Sequence, residues 1–511
     1  MVHYILDGLY SGFNIGYEGS YSETRPKNLK SATNNSIKVT EAIVKELERK
    51  HTAGPFVDPP FSPLHCSPIG AVMKDDGTCR LIMDLSQPKG YSINEGINKD
   101  DFAVQYSHFD RATELVFKAG QGCLLSKIDI KHAFRLIPVA PEDWKLLGFF
   151  WENYYFIDVR LSFGSRSSPG IFNKFADLVC WILINKCNLE STVHYSDDFL
   201  LVSGTEYVTA RHRLDVLIKL FKDLNIPLAL EKLVGPDTIL PYLGIDIDSE
   251  NLTIGIPKNK FDELMDILSQ WDRKRKTCKK RELLSLIGKL SFFCKVVRAG
   301  RIFLRRLIDL STTVESMDHH ININSEARED IRWWVDLLPQ LKTHSLIPEC
   351  HLTTSDDLKL FTDASSKIAF GAIFGCRWIQ HRWTESERAN MSIDVMELFA
   401  IVAAILTFGH EWEGKRIVVM TDNLPITQLW ESGSSPTKAL MFLIRRLYLV
   451  AAKNGFSVAL KHIFGKTNCV ADAISRFQMP RFRHLVPEAD AFPTTLPRAV
   501  TETLVDVIRV R

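Results

Sequence analysis

The chain has 511 residues, more than one ordinary domain holds, so its length predicts several packed units. Apolar residues make up 45% of the sequence and charged residues 24%, a balance that excludes a mainly disordered chain. The formal net charge is only +2, so any attraction to a polyanion must come from local basic patches.

The cysteines and the N-terminus indicate the compartment. The ten cysteines include no C-x-x-C pair and no cluster with histidine at zinc-binding spacing, so we expect reduced thiols. The N-terminal sequence lacks a basic segment followed by a long apolar one, and no apolar run reaches membrane-spanning length. These features predict a cytoplasmic or nuclear protein that is neither secreted nor bound to a membrane.

The first half of the chain begins with an extension over residues 1–54, which contains the helical pattern TEAIVKELERK with Thr40 as the expected N-cap. Five prolines follow between residues 55 and 68, and they favour an extended path over a helix. Short β-rich runs then alternate with helical ones. This alternation predicts an α+β domain over residues 55–250.

The composition changes between Trp271 and Arg306, where there are thirteen lysines and arginines but only two acids. Leu283, Ile287 and Leu290 recur in this segment at helical spacing. Residues 251–350 are therefore predicted to form helices with one apolar face and basic exposed faces.

A second α/β unit is predicted over residues 351–480. Its pattern runs strand, strand, helix, strand, helix, strand, helix, from KLFTDAS to NCVADAISRF. Residues 481–511 remain as a C-terminal tail. The predicted fold class is a multidomain α+β protein that contains an α/β domain in its second half.

Three aspartates lie where apolar sequence offers them no partner. Asp129 follows an apolar run, and Asp197 and Asp198 lie at the tip of a predicted hairpin in HYSDDFLLV. Taken singly, Asp129 is compatible with a helix cap and the adjacent pair with a polar turn. Taken together, the three form a candidate metal site, because Mg²⁺ prefers carboxylate oxygens and paired ions support phosphoryl transfer.

Five segments occur in a fixed order along this region: SKIDIKHAF, LSFGSRSSPGIF, YSDD, LALEKLV and YLGIDI. They resemble the successive palm motifs of reverse transcriptases, and the upstream SPIGAVMKDDGTCRLIMDLS is similar to the fingers motifs. The resemblance covers residues 55–250 and implies a right-hand polymerase with fingers, palm and a helical thumb and connection. It implies that Asp129, Asp197 and Asp198 are catalytic and hold two Mg²⁺ ions, with Mn²⁺ as a substitute.

The same resemblance implies roles for residues around these aspartates. Phe134 matches the aromatic gate that collides with a ribose 2′-hydroxyl, although without the family context a core phenylalanine would be favoured. Ser196 departs from the family, in which that position is more often apolar. Tyr195 and Pro169 are implied to contact the primer–template. The implied nucleotide-binding residues are Lys74, Arg80, Phe134, Gly164 and Lys232.

A second set of acids follows in the α/β unit. Each could be a cap or a strand-end charge, but their order resembles ribonuclease H over residues 358–478, which implies two further Mg²⁺ ions and cleavage of RNA in an RNA–DNA hybrid. Lys466 replaces the histidine of cellular enzymes, as in retrotransposon ribonucleases. The implied catalytic and metal-binding residues are Asp363, Glu397, Asp422 and Asp472.

The basic segment stands where a polymerase thumb and connection would be, which implies contact with the phosphates of the primer–template duplex. A solvated helix face is one alternative, and a nuclear localisation signal in RKRKTCKKR is another. The residues expected to bind nucleic acid are Arg273, Lys274, Arg275, Lys279, Lys280 and Arg281.

These resemblances imply an RNA-directed DNA polymerase with ribonuclease H activity, acting on an RNA template, a DNA primer, dNTPs and the RNA–DNA hybrid. RLIMDLSQPKGYSINEGI and the tail RFRHLVPEADAFPTTLP look like DIRS-type (tyrosine-recombinase) retrotransposons, which adds an element-encoded recombinase as a possible partner. The oligomeric state stays open. The alternatives are a domesticated or decayed copy that only binds nucleic acid, and a repair nuclease or RNA polymerase with a similar palm.

Overall fold

The computed structural model describes residues 2–20, 22–73, 77–104, 109–272, 275–339, 344–346, 359–413, 415–432, 435 and 437–510. The chain divides into two compact units, Met1–Leu243 and Gly244–Arg511. The boundaries predicted at residues 54, 250, 350 and 480 are finer than this division and stay predictions.

The first unit mixes helices with antiparallel sheets. Its helices are α1 (Val2–Ser11), α2 (Lys30–Thr33), α3 (Ser36–Glu48), α4 (Phe109–Ala119), α5 (Ser168–Asn185) and α6 (Tyr207–Asp223). Its strands are β1 (Thr52–Phe56), β2 (Ile69–Met73), β3 (Cys79–Met83), β4 (Leu124–Asp129), β5 (Gly148–Trp151), β6 (Tyr154–Asp158), β7 (Thr192–Tyr195), β8 (Asp198–Ser203), β9 (Val234–Asp237) and β10 (Ile239–Tyr242). The sheets have the strand orders β7-β8-β4-β9, β1-β6-β5 and β2-β3.

The sheet β7-β8-β4-β9 carries the apolar run that surrounds the aspartate pair. In β8, the residues from Phe199 to Val202 are all buried, because α4 and α6 both pack against this strand. A strand covered on both faces is a near-continuous apolar run rather than an alternating one. The predicted hairpin is confirmed, since β7 pairs antiparallel with β8 across a two-residue connection.

The N-terminal extension is part of the core of the first unit. Phe13, Val39 and Ile43 pack in the same buried cluster as Phe172 of α5. The predicted N-cap is wrong, because α3 begins at Ser36 and Thr40 lies inside it. The Thr40 hydroxyl instead accepts a hydrogen bond of 2.9 Å from Trp151 Nε1, a tertiary contact that sequence spacing cannot reveal. The proline-rich segment contains no helix, as predicted, but only its start is a strand, which pairs with β6 as β1, and bends follow.

The second unit begins with a helical region and continues into a five-stranded sheet. Its helices are α7 (Lys258–Asp272), α8 (Lys280–Phe293), α9 (Arg305–Ser311), α10 (Ser325–Leu337), α11 (Glu385–Asn390), α12 (Ile393–Phe408), α13 (Leu424–Ser432), α14 (Lys438–Lys453), α15 (Cys469–Ser475), α16 (Met479–Leu485) and α17 (Arg498–Arg509). Its strands are β11 (Ile245–Asp248), β12 (Thr253–Gly255), β13 (Thr277–Lys279), β14 (His320–Asn322), β15 (His344–Leu346), β16 (Lys359–Ala364), β17 (Ala369–Phe374), β18 (Arg377–Arg382), β19 (Arg416–Thr421) and β20 (Ser457–His462).

The five-stranded sheet has the order β18-β17-β16-β19-β20. Strands β18, β17 and β16 are antiparallel, whereas β16, β19 and β20 are parallel. The seven predicted elements of this unit are present, but β18, α11 and α13 were not anticipated. Helix α12 packs on β16 and β17. By length and composition Ile393–Glu411 passes the test for a membrane span, yet 78% of that stretch is buried, and a core helix passes the same test.

The helical region confirms the apolar spacing predicted from the sequence. Leu283, Ile287 and Leu290 are all buried on α8. The prediction of helix throughout is wrong at Thr277–Lys279, which forms β13 and pairs with His320–Asn322. The partner strand lies some forty residues away, so local periodicity carries no sign of it.

A buried arginine fixes α3 to the rest of the first unit, and its removal tests this packing. Arg135 is 6% exposed, donates to Asp158 Oδ2 at 2.7 Å and lies 2.8 Å from Glu46 Oε2 on α3. Arg135→Met leaves the buried Asp158 without its cation and removes one of the partners of Glu46, so we expect a loss of about 3–5 kcal/mol in urea denaturation. Arg111→Met breaks only an exposed pair with Glu114 and should cost less than about 1 kcal/mol. Equal losses for the two variants would contradict the structural role of Arg135.

Candidate active sites

The three aspartates of the first unit meet at one end of its central sheet. Asp129 is the last residue of β4 and pairs in register with Asp198, the first residue of β8. Asp197 precedes it in the connection from β7, and its carbonyl accepts a hydrogen bond of 3.0 Å from the Ile130 amide. Strand register therefore brings together acids that are 68 positions apart in sequence.

The connection between β7 and β8 contains the serine that departs from the family pattern. Ser196 has a φ of +54°, and it is the first of the two loop residues. A positive φ at this position is the mark of the turns that match the twist of a β-hairpin. A β-branched residue would be strained there, whereas serine has no branch at Cβ. The Ser196 side chain also hydrogen-bonds Asp197, which lowers the pKa of that carboxyl against the effect of burial.

Burial sets the electrostatics of this acidic cluster. It raises the pKa of both Asp197 and Asp198, and the negative charge of Asp129 raises them further. Two lysines offset part of the charge: Lys232 Nζ lies 2.9 Å from Asp129 Oδ2, and Lys127 Nζ lies 3.6 Å from Asp198 Oδ1. Within the described residues, Asp198 Oδ1 is buried and has no hydrogen-bond partner. Three carboxylates, one of which has a buried oxygen whose described partner is an ion pair with Lys127 at 3.6 Å, fit a divalent cation.

A histidine that the sequence analysis passed over supports the aspartate turn. His194 is buried, and its ring stacks on Phe199 at 5.2 Å. Its Nε2 lies 2.9 Å from Asp177 Oδ1 on α5, and its Nδ1 lies 3.3 Å from the Ser196 carbonyl oxygen. The imidazole therefore links α5 to the peptide that precedes Asp197. The sequence signal that could have identified His194 was a polar residue at an expected buried position beside the acid pair.

A cleft of about 780 Å³ opens onto the carboxylates, a volume typical of small-molecule sites. Arg80, Phe134 and Lys232 line it together with Asp129 and Asp197, and their nucleotide-binding role stays a prediction. The remaining predicted nucleotide-binding side chain, Lys74, lies outside the described residues.

Phe134 is half-buried and packs against the rings of Phe163 and Phe172, each with centroids 5.4 Å away. It thus belongs to the edge of the core and to the cleft at once. Gly164 has a φ of +117°, and a Cβ there would lie 2.3 Å from the Met83 carbonyl oxygen, so a side chain is excluded. Pro169 lies in the first turn of α5.

Tyr195 is the last residue of β7, directly before the turn, and its side chain is partly exposed. It is therefore available to a ligand that approaches the aspartates. Whether it contacts a primer–template stays a prediction.

In the second unit, oxygens of Asp363, Glu397 and Asp422 lie within 4.8 Å of one another. Burial raises the pKa of Asp363 to about 6 and that of Glu397 to about 9, and the neighbouring carboxylates add to both shifts. Within the described residues, Glu397 Oε2 is buried without a hydrogen-bond partner. A largely buried helix thus holds an acid with one unpartnered oxygen against two more acids, which fits a divalent cation.

The fourth predicted acid, Asp472, is not within that group. Its carboxylate pairs with Arg476 and with Arg481, the latter at 2.9 Å. It still lies close enough for its charge to raise the pKa of Asp363. Lys466, which stands in place of the family histidine, is exposed beside Gly465, where a Cβ would be 3.0 Å from Asp422 Oδ2.

The basic residues expected to bind nucleic acid have local partners. Arg275 lies 2.5 Å from Glu282, and Lys280 donates to the Val314 carbonyl at 2.6 Å. Lys279 and Arg281 both pair with Asp318, at 3.5 and 2.5 Å. Arg273 and Lys274 lie outside the described residues. These contacts reduce the positive potential expected from the basic count and make the solvated helix face a stronger alternative.

Comparisons with known proteins agree with the first site. Residues 72–247 match the family model described as reverse transcriptase (RNA-dependent DNA polymerase). The Tf2-3 and Tf2-4 transposon polyproteins of Schizosaccharomyces pombe are each 22% identical over 433 residues, or 81% of this chain. The chain spans only 29% of the length of these relatives.

Among solved structures, a foamy viral protease-reverse transcriptase dRH in complex with double-stranded DNA is similar in fold. Its TM-score is 0.53 at 17% identity, over 88% of this chain and 74% of that one. Residues 72–247 are thus similar to the reverse transcriptase family, and most of the chain is similar to retrotransposon polyproteins, as the sequence motifs predict.

The raised pKa of Glu397 predicts how pH and metal change the stability of the second unit. The pKa is about 9 in the fold against a usual 4.5, so the folded state favours the protonated form. Without metal, stability should fall as pH rises from about 4.5 to 9, because the carboxyl ionises in the unfolded chain while it stays protonated in the fold. Glu397→Gln removes this penalty, and at pH 8 we expect it to be more stable by at least about 1.4 kcal/mol.

Thermal unfolding over a pH series checks this expectation, with the exposed Glu385→Gln as the matched control. Adding Mg²⁺ at pH 8 should stabilise the unaltered protein and the control more than Glu397→Gln, which keeps only the metal site of the first unit. Identical pH and Mg²⁺ responses in all three proteins would contradict the site.

Proposed function

We propose that the chain copies retrotransposon RNA into DNA as an RNA-directed DNA polymerase and degrades the RNA strand of the hybrid as a ribonuclease H. The observation that carries the first activity is the meeting of Asp129, Asp197 and Asp198 at one sheet end, inside the segment that matches the reverse transcriptase family. The substrates are an RNA template, a DNA primer, dNTPs and the hybrid. The fold likeness to a protein determined on double-stranded DNA is compatible with this class of substrate.

The polymerase reaction joins a primer 3′-hydroxyl to the α-phosphate of a dNTP and releases pyrophosphate. Two Mg²⁺ ions, held by Asp129, Asp197 and Asp198, would supply activation of the hydroxyl and stabilisation of the leaving oxygen. Arg80 lies in the same cleft, where its guanidinium can hold phosphate oxygens as a fork. Lys232 already donates to Asp129 and can neutralise charge on the leaving group.

Other residues of this unit select and position the substrates. Phe134 presents a ring at the edge of the cleft that would collide with a ribose 2′-hydroxyl, which favours deoxynucleotides. Gly164 keeps the neighbouring loop close to β3. His194 holds the turn that carries Asp197, so the carboxylates stay in place while the substrates exchange.

The proposed ribonuclease activity rests on two features of the second unit. One is its acidic cluster, and the other is its order of strands, which follows the order predicted from the sequence. Asp363, Glu397 and Asp422 would hold the ions, with Asp472 joining once Arg476 and Arg481 release it. These ions would supply a nucleophilic water and stabilise the departing oxygen.

The identity of the element and the location of the protein are also proposals. The sequence likeness to DIRS-type elements suggests that subclass and a separately encoded recombinase as a partner, while the matched polyproteins belong to Tf2 transposons. The proposed location is the cytoplasm, the nucleus or both. A decayed copy that only binds nucleic acid is the rival function, but all seven expected carboxylates are retained in the sequence.

Primer extension tests the polymerase. With an RNA template, a DNA primer, dNTPs and Mg²⁺, the unaltered protein should extend the primer. Asp197→Asn/Asp198→Asn should reduce the rate by about 10²-fold or more, because it removes the charges that hold the ions. Asp223→Asn, at the exposed end of α6, should retain the rate. Absence of synthesis by the unaltered protein, with primer–template binding intact, would favour the binding-only function.

Cleavage of RNA in an RNA–DNA hybrid tests the ribonuclease. Glu397→Gln should abolish cleavage and leave primer extension unchanged, because the two acidic clusters lie in different units. The exposed Glu385→Gln should keep both activities. Undiminished cleavage by Glu397→Gln would contradict the assignment of ribonuclease activity to this acidic cluster.

A further inference from the structure

The cleft of the first unit extends beyond the residues assigned above to one face of α3, which precedes the family-matched segment. The α3 residues on this face recur every three or four positions, as expected for a single helical stripe. The α3 stripe and the residue that follows it contribute Lys38, Glu41, Ala42, Lys45, Glu46 and Arg49. The N-terminal extension therefore forms a wall of the same cleft as Asp129 and Asp197.

The charges at this wall are not balanced. Glu46 and Asp158, two of the acids there, are satisfied by the buried Arg135. Within the described chain, no carboxylate lies within 4.0 Å of the Lys45 or Lys131 amine, and Lys131 also lines the cleft. This end of the cleft has unpaired positive charge.

Arg49 adds to this charge. It pairs with Glu46 at 3.3 Å, a carboxylate that it shares with Arg135 and His51. Burial and then the positive charge of Arg49 lower the pKa of His132, so the guanidinium acts on the segment just after Asp129. The cleft is thus lined both by the carboxylates assigned to metals and by exposed cations of α3 and Arg49.

We propose that Lys45 and Arg49 bind the triphosphate tail of the incoming nucleotide and the pyrophosphate that leaves it. The inference rests on the proposed polymerase function, in which the α-phosphate reacts at the carboxylates. The β- and γ-phosphates must then extend from that point into the cleft, where α3 supplies the complementary charge. Arg49 offers a planar fork to phosphate oxygens, and Lys45 offers a mobile point charge.

Binding of inorganic tripolyphosphate tests the site without turnover. In titration calorimetry, Lys45→Gln/Arg49→Gln should weaken binding by roughly three- to tenfold, as expected for two partly exposed cations. The control is Lys118→Gln, which removes one exposed charge on α4 and should have no effect. If Lys45→Gln/Arg49→Gln lowers the midpoint of thermal unfolding, the affinity of Lys45→Gln alone is the test. The Lys45 amine has no carboxylate partner in the described chain, so this single change breaks no ion pair there. Unchanged affinity in that protein would overturn the proposal.

Steady-state primer extension separates this site from other phosphate contacts. The double variant should raise the KM for dNTP by a similar factor, with kcat and the primer–template Kd nearly unchanged. A raised primer–template Kd with an unchanged dNTP KM would overturn the proposal and assign α3 to the template backbone. Tripolyphosphate binding that depends on α3 in a protein without synthesis would support the site while contradicting the polymerase function.

Discussion

Burial of carboxylates without enough positive charge is the constraint on which both units depend. In the first unit, Asp197 and Asp198 are partly buried beside Asp129, and two lysines offset only part of the charge. In the second, Glu397 lies on an almost wholly buried helix with Asp363 beside it. Folding gives no reason to keep such groups, since each could be replaced by an apolar residue at a gain in stability. A divalent cation that neutralises them gives that reason.

The structure around each cluster serves to hold it. The apolar strand β8 and its register with β4 fix where the first acids meet, and His194 fixes the turn that carries Asp197. The apolar residues of α12 bury that helix against the sheet and so hold Glu397 at its place. Packing of apolar residues contributes most of the stability of each unit. The same packing positions the buried carboxylates, whose burial lowers that stability.

The sequence predicted the clusters better than it predicted their surroundings. The acid pair amid apolar residues was visible in HYSDDFLLV, and so were the hairpin and the apolar spacing of α8. Contacts distant in sequence were not. Thr40 was mistaken for a cap because its partner, Trp151, is distant in sequence. The basic segment was expected to present exposed charges to nucleic-acid phosphates, but Asp318 pairs with two of its residues. Local periodicity cannot report such partners, since they depend on the tertiary fold.

Counting bound Mn²⁺ by electron paramagnetic resonance tests most directly whether metals compensate these acids. With primer–template and a dNTP that cannot be joined to the primer, the unaltered protein should bind Mn²⁺ in both units. Asp197→Asn/Asp198→Asn should lose only the ions of the first unit, and Glu397→Gln only those of the second. Equal Mn²⁺ binding by all three proteins would contradict the role of the buried carboxylates as metal ligands.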